Sequence, residues 1–182
     1  MKLLNLFKRW KQEESGVAAV EAAMIFPIML MMMVGVFDLG NGILANQKAI
    51  RASQVVAGLI ARQNTVDSTD ISEAIQAGRL AFEPLPNASY GVDIVSFRFD
   101  EDANTEIVWR ETVNMTPVAD AIARVDALQE ADEGVVMVVI QYQYNPLFAG
   151  FVMNGFTSSI IDMQEVAFSR GRRSPVVGLD GS

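Results

Sequence analysis

Between Val17 and Phe37 lie 21 residues that carry one charge, Glu21. A bilayer core of about 30 Å takes roughly 20 apolar residues at about 1.5 Å rise each. The length predicts a membrane-spanning helix, and the lone carboxylate near its start demands a reason. An ionisable group inside a span is costly and is by default a functional candidate. Glu21 lies about one turn into the run, where it can reach the interface or the positive end of the helix dipole. A tolerated interfacial acid is the plain alternative.

The flanks set a direction. Lys2, Lys8, Arg9 and Lys11 precede the run, against Glu13 and Glu14, and only Lys48 and Arg51 follow closely. Basic residues beside a first span favour retention in the cytoplasm. The N-terminus is therefore expected inside and the remaining chain outside. A cleavable secretory signal has an apolar region of about 7–15 residues and a small-residue cleavage site. This run is longer, carries Glu21 and ends in Phe37-Asp38-Leu39-Gly40-Asn41 without such a site.

A short basic leader ending in Gly16, then an apolar helix with Glu at its fifth residue, resembles the prepilin signal of type IV pilins and pseudopilins. More specifically, Gly16, Ala18-Ala19-Val20-Glu21, Pro27, Leu30, Gly35, Asp38 and Gly40, with a helix rich in small residues through Ala61-Arg62, resemble the TadE-like proteins of tight-adherence pilus systems. The resemblance covers about residues 15–62. It implies peptidase cleavage on the cytoplasmic side between Gly16 and Val17. It also implies that Glu21, fifth residue of the mature chain, pairs with the new α-amine. An aromatic commonly follows the glutamate in that family, and here Ala22 does.

Composition excludes much chemistry. Cysteine and histidine are both absent, which removes disulfides, thiolates and the commonest metal ligand and general base. No G-x-S-x-G or Gly-rich phosphate loop occurs, so the chain reads as no enzyme and as needing no cofactor. The net charge is −8; without residues 1–16, which carry four basic and two acidic side chains, it is −10. Such a chain has no electrostatic footprint for nucleic acid. The methionine cluster Met24, Met29 and Met31 to Met33 is apolar filler, since a soft-metal site would need other ligands.

Past the membrane, Val36, Leu39, Ile43, Ile50 and Ala57 continue an apolar face at helical spacing, which extends the helix to about Arg62. Pro27 invites a kink that membrane helices tolerate, and Gly40 and Gly42 weaken the helix. After a break at Gln63 to Thr69, Asp70-Ile71-Ser72-Glu73 resembles a capping box, opening a helix from Ile71 to about Phe82 that Pro84 and Pro86 end. Tyr90, Val92 and Ile94, then Phe97 and Phe99, predict a strand with a phase change at Val95, as a bulge would produce. Asp100 to Asn104 is a turn and Ile107 to Val113 a second strand. Thr116-Pro117 predicts a helix start, running to about Glu130. Val135 to Ile140 is apolar on both faces, as in a central strand, and continues to Tyr144. An apolar loop over Leu147 to Phe156 precedes a last strand from about Ser158 to Arg170. The tail, 171–182, shows no periodicity and is expected to be disordered.

The order predicts an α+β fold: a long N-terminal transmembrane helix continuing into an extracytoplasmic antiparallel sheet domain with short helices, as the pilin-like resemblance implies. Its divisions are a leader (1–16), the helix (17–62), an α+β domain (63–170) and the tail. One string outside the helix has ligand spacing: Asp100, Asp102, Asn104 and Glu111 fall at positions 1, 3, 5 and 12 of a calcium loop. The sixth position is Thr105 rather than Gly, and a solvated hairpin turn is the plainer reading. Glu130 with Asp132, and Asp162 with Glu165, read as exposed charges.

The expected function is structural. The resemblance implies a bacterial inner-membrane, single-pass pseudopilin or minor pilin component of a tight-adherence pilus. Its partners would be the prepilin peptidase, other pilin subunits, the assembly machinery and membrane lipid. The alternative is a permanently anchored periplasmic adaptor or sensor domain that keeps residues 1–16.

Overall fold

The computed structural model describes residues 14–86, 88–102, 104–146 and 160–180. Most of the leader, the loop Leu147 to Phe156 and the predicted strand start at Ser158 lie outside them. The described residues fall into two units, parted between Asn41 and Gly42. The first is the start of helix α1, which runs Glu14–Ile60 without interruption at Pro27, Gly40 or Gly42.

Within the second unit, α1 is followed by β1 (Thr65–Val66), α2 (Ser68–Phe82), β2 (Gly91–Phe99), β3 (Thr105–Val113) and α3 (Ala121–Val125) with a 3-10 turn Asp126–Leu128. Then come β4 (Gly134–Tyr144), β5 (Ile161–Arg170) and β6 (Gly178–Leu179). Four strands form one antiparallel sheet in the order β3-β2-β4-β5, and β1 pairs with β6 in parallel. The sheet is covered on both faces, which makes the architecture α+β, as expected.

On one face pack the later part of α1 and all of α2. Ala45, Ala49, Ala52, Val56 and Ile60 meet Ile71, Ile75 and Phe82, over Val92, Ile94, Val138, Ile140 and Tyr142. The expected apolar stripe is corrected in part: Val36, Leu39, Ile43 and Ile50 are exposed, whereas Ala57, also of that stripe, is buried together with Ala45, Ala49 and Ala52. Small side chains let a helix axis come close to its neighbours, so the alanine face packs rather than the bulkier one. Gly78 of α2 serves the same close approach. A Cβ there would lie 2.6 Å from Val56 and 2.5 Å from the Tyr90 hydroxyl.

The second face carries Val95, Phe97, Phe99, Val135, Met137 and Val139, covered by Val118, Ala121 and Val125. This arrangement accounts for the phase change at Val95. β2 is buried on both sides, so Ile94 and Val95 each find a core of their own, and no extra residue is needed in β2. The bulge lies instead on β3, where the register steps from Trp109 opposite Ser96 to Ile107 opposite Phe97.

Three other expectations change. The cap of α2 is Asp67, one turn earlier than expected. Its carboxylate accepts from the Asp70 N–H at 2.8 Å while the Asp70 carboxylate accepts from the Asp67 N–H at 3.2 Å. The predicted helix from Pro117 shrinks to Ala121–Val125 plus the 3-10 turn. The peptide groups of Val118 explain it: its N–H and its carbonyl are both taken by side chains of the sheet. Residues of the tail as far as Asp180 make backbone hydrogen bonds to the domain. Arg172 N–H donates to Ala61 O at 2.8 Å, Gly178 N–H to Asn64 O at 3.0 Å and Asp180 N–H to Val66 O at 2.8 Å.

Candidate functional site

The N-terminal helix carries the residues singled out in the sequence. From Gly16 onward α1 is long and apolar enough to cross a membrane, and the span's most apolar window has no buried residue. Val17, Val20, Met24, Ile25 and Phe26 are all more than half exposed. Among the described residues nothing covers this apolar stretch, as suits a helix that faces lipid or other helices. Glu21 is exposed on this helix, one turn past Val17. Gly16 is exposed too, and a methyl group in place of its hydrogen would meet nothing within 4 Å. The packing of the described residues therefore does not require glycine at 16. Pro27 lies inside the helix, which runs on beyond it.

The possible calcium-loop residues are only partly together. Asp100 caps its own turn: its carboxylate accepts from the N–H groups of Asp102 (3.0 Å) and Asn104 (2.7 Å) and from the Asn104 side-chain amide (2.9 Å). Those donors from Asn104, chiefly the side chain, hold the Asp100 carboxyl below the usual carboxylate range. Glu111 stands six residues into β3, paired opposite Ile94. Six strand residues span about 20 Å, too far to share an ion with Asp100. Among the described residues no cluster of three or more acids could hold a metal. Calcium at millimolar concentration is expected to leave the melting temperature of the detergent-solubilised chain unchanged. A rise of several degrees, lost on changing Asp100 and Asp102 to Ala, would overturn this, since a ligand of the native state raises its stability.

Two polar clusters escaped the sequence reading. Asp93 on β2 is fully buried. It accepts from Arg110 Nε at 2.9 Å, Thr112 Oγ1 at 2.7 Å and the Val118 N–H at 3.0 Å. Burial pushes its carboxyl up, but these donors outweigh burial and hold it below the ordinary range. The cluster pins the segment before α3 onto β2 and β3. The sequence held one usable signal, an acid set between the apolar Val92 and Ile94-Val95. In the second cluster the Val177 carbonyl accepts from Ser96 Oγ at 2.8 Å and Trp109 Nε1 at 2.9 Å, and Val177 itself is buried. Glu130 pairs with Arg170, as does Glu133.

Residues 16–57 match the model of the family described as TadE-like protein. The N-terminal segment is TadE-like. No curated protein and no solved structure matches the chain. The TadE-like segment takes in Gly16, Glu21 and Pro27 and continues into the alanine face that packs on the sheet. The match therefore includes both the exposed apolar stretch and the start of the packed one.

Proposed function

We propose that this protein is a membrane-anchored pseudopilin or minor pilin-like component in the assembly of a tight-adherence type IV pilus. The observation that carries the reading is that the TadE-like match begins at Gly16, at the head of a helix whose most apolar stretch has no buried residue. In this reading the helix sits in the bacterial inner membrane with its N-terminus in the cytoplasm, held there by Lys2, Lys8, Arg9 and Lys11, and the sheet domain is periplasmic. The chain is a peptidase's substrate and a structural part, not an enzyme. Gly16, which nothing in the described packing requires, serves the peptidase.

Cleavage at Gly16–Val17 creates an α-amine four residues before Glu21, about 6 Å along a helix axis. Helical side chains lean toward the N-terminus, so the Glu21 carboxylate reaches toward that amine, its own or a neighbour's. Pairing offsets the cost of a carboxylate in lipid, and it fixes the register of adjacent helices. Pilin subunits, the assembly machinery and lipid are the partners.

N-terminal sequencing of the protein extracted from its native membrane is expected to begin at Val17. A start at Met1 would discard the pseudopilin reading in favour of a permanently anchored adaptor. For Glu21, Glu21→Ala and Glu21→Gln are both expected to leave membrane insertion intact. Crosslinking from the first helix to pilus components should fall roughly tenfold, the equivalent of about 1.4 kcal/mol. If both variants crosslink and support fibres like the parent, the charge has no part in assembly.

A further inference from the structure

We propose that a pocket formed where the segment after β3 folds back across β2 and β4 binds a neutral sugar. The cavity is about 430 Å³, within the usual size of small-ligand sites. Ser89, Asn114, Thr116, Gln141 and Gln143 line it, and Met115 adds apolar surface for the C–H face of a sugar ring. Among the described residues no charged side chain lines it. Strand alternation places the glutamines: they follow Val135, Met137 and Val139 on one face of β4, beyond the end of that core. Packing fixes the walls. Gly91 has no side chain, and a Cβ there would lie 2.7 Å from both Asn114 O and Met115 Cβ. The segment after β3 therefore crosses the sheet at that point. Asn114 takes a left-handed backbone, φ 56°, which asparagine tolerates. Its Nδ2 donates to Tyr90 O at 2.9 Å and to Ala88 O at 3.3 Å, tying the crossing segment to the chain before β2. Both amide hydrogens are then used, and Oδ1 is left as an acceptor.

Polar capacity identifies the ligand. Among the described residues neither the Gln141 side-chain amide nor the Thr116 hydroxyl has a hydrogen-bond partner. Amides and hydroxyls both donate and accept, as sugar hydroxyls do. The charged groups that meet the neighbouring glutamines are already engaged. Asp162 accepts from Gln143 Nε2 at 3.0 Å, and Arg124, which pairs with Asp120, donates to Gln164 Oε1 at 3.4 Å. Asp93, two residues past Gly91 on β2, is closed off by Arg110 and Thr112. An added peptide strand has no main-chain edge to join here. Gln141 has strand neighbours on both sides, Gly91 and Gln164. Beyond Gly91, Ser89 Oγ takes the Gln143 N–H and donates to its carbonyl, each at 3.3 Å. The groups left to a ligand are therefore side-chain amides and hydroxyls. This inference does not depend on the pilus reading.

The test uses the full chain in micelles of a polyoxyethylene ether, a detergent without sugar. The probes are the neutral trisaccharides cellotriose, maltotriose and chitotriose, against charged trigalacturonate and the blocked peptide acetyl-Gly-Ser-Gly-amide. Titrations followed by NMR of side-chain amides are expected to give at least one neutral sugar a Kd of about 1 mM or tighter, and about tenfold weaker binding of both controls. In the parent the Gln141 amide resonance should move, and that of Gln76, on α2 in a different cavity, should stay. The double variant Gln141→Met with Thr116→Val keeps side-chain volume and removes the hydrogen bonds. It is expected to bind the sugar about tenfold more weakly at an unchanged melting temperature. No neutral sugar bound by about 10 mM, a control bound as tightly, a shift at Gln76 without one at Gln141, or undiminished binding by the double variant would each overturn the proposal. The resonance readout needs only the parent chain, so it decides the matter even where the double variant does not fold.

Discussion

Deleting residues 172–182 is expected to cost the sheet domain roughly 5 kcal/mol. Val177 is buried, and exposing a side chain of its size loses about 2 kcal/mol. Its carbonyl accepts from Ser96 Oγ and Trp109 Nε1, both within the core. Each orphaned buried donor costs about 1–3 kcal/mol. The backbone bond from Arg172 to Ala61 O, just past the end of α1, is lost as well. Total stabilities of about 5–15 kcal/mol leave little margin, so the shortened chain should unfold at much lower urea or become readily cut by protease. Val177→Ala keeps the carbonyl in place and should cost only the side-chain part, about 1–2 kcal/mol. If truncation and Val177→Ala cost the same, the carbonyl does not matter and the latch is merely a packed valine.

The tail shows where sequence patterning loses information. Arg172-Arg173-Ser174-Pro175 carries neither helical nor strand periodicity, and the Val177 carbonyl that follows is held by donors, Trp109 Nε1 and Ser96 Oγ, that lie 68 and 81 positions away along the chain. No local signal reports such a contact. The long elements were legible because period and length belong to the residues themselves: the apolar run of α1, the two-faced apolar strand β4 and the turn at Asp100 all fall where expected. The packed face of α1 was misread because hydropathy ranks Ile43 and Ile50 above Ala45 and Ala49, whereas close helix packing favours the smaller side chains. The cap of α2 was misplaced because Asp67 and Asp70 are equally good caps in isolation, and which one is used depends on where the chain leaves β1. Of the candidate site, Glu21 stands out as the lone charge of an apolar run and Pro27 as a proline within it, Gly16 only through the resemblance to prepilin signals, while the Asp93 cluster needs three separate segments to be brought together.

That cluster gives the second large effect. Asp93→Ala removes the acceptor of Arg110, Thr112 and the Val118 N–H at once. Removing one partner of a buried pair costs about 3–5 kcal/mol. The Arg110 side chain keeps 24% exposure, so water compensates it in part and about 3 kcal/mol is the expected loss. The pH dependence has a definite sign. Asp93 is held below its ordinary value when folded, so its contribution is present above the unfolded carboxyl value of about 3.9. It is lost as pH falls below that, toward the folded value. Asp93→Asn cannot titrate, and its amide turns a donor toward donors, so it is less stable near pH 7. Urea midpoints measured between about pH 7 and pH 2 should therefore converge, the parent falling toward the variant as acid removes the carboxylate. Parallel curves, with a constant gap down to the lowest pH, would show that the Asp93 charge contributes nothing to holding the segment before α3 on the sheet.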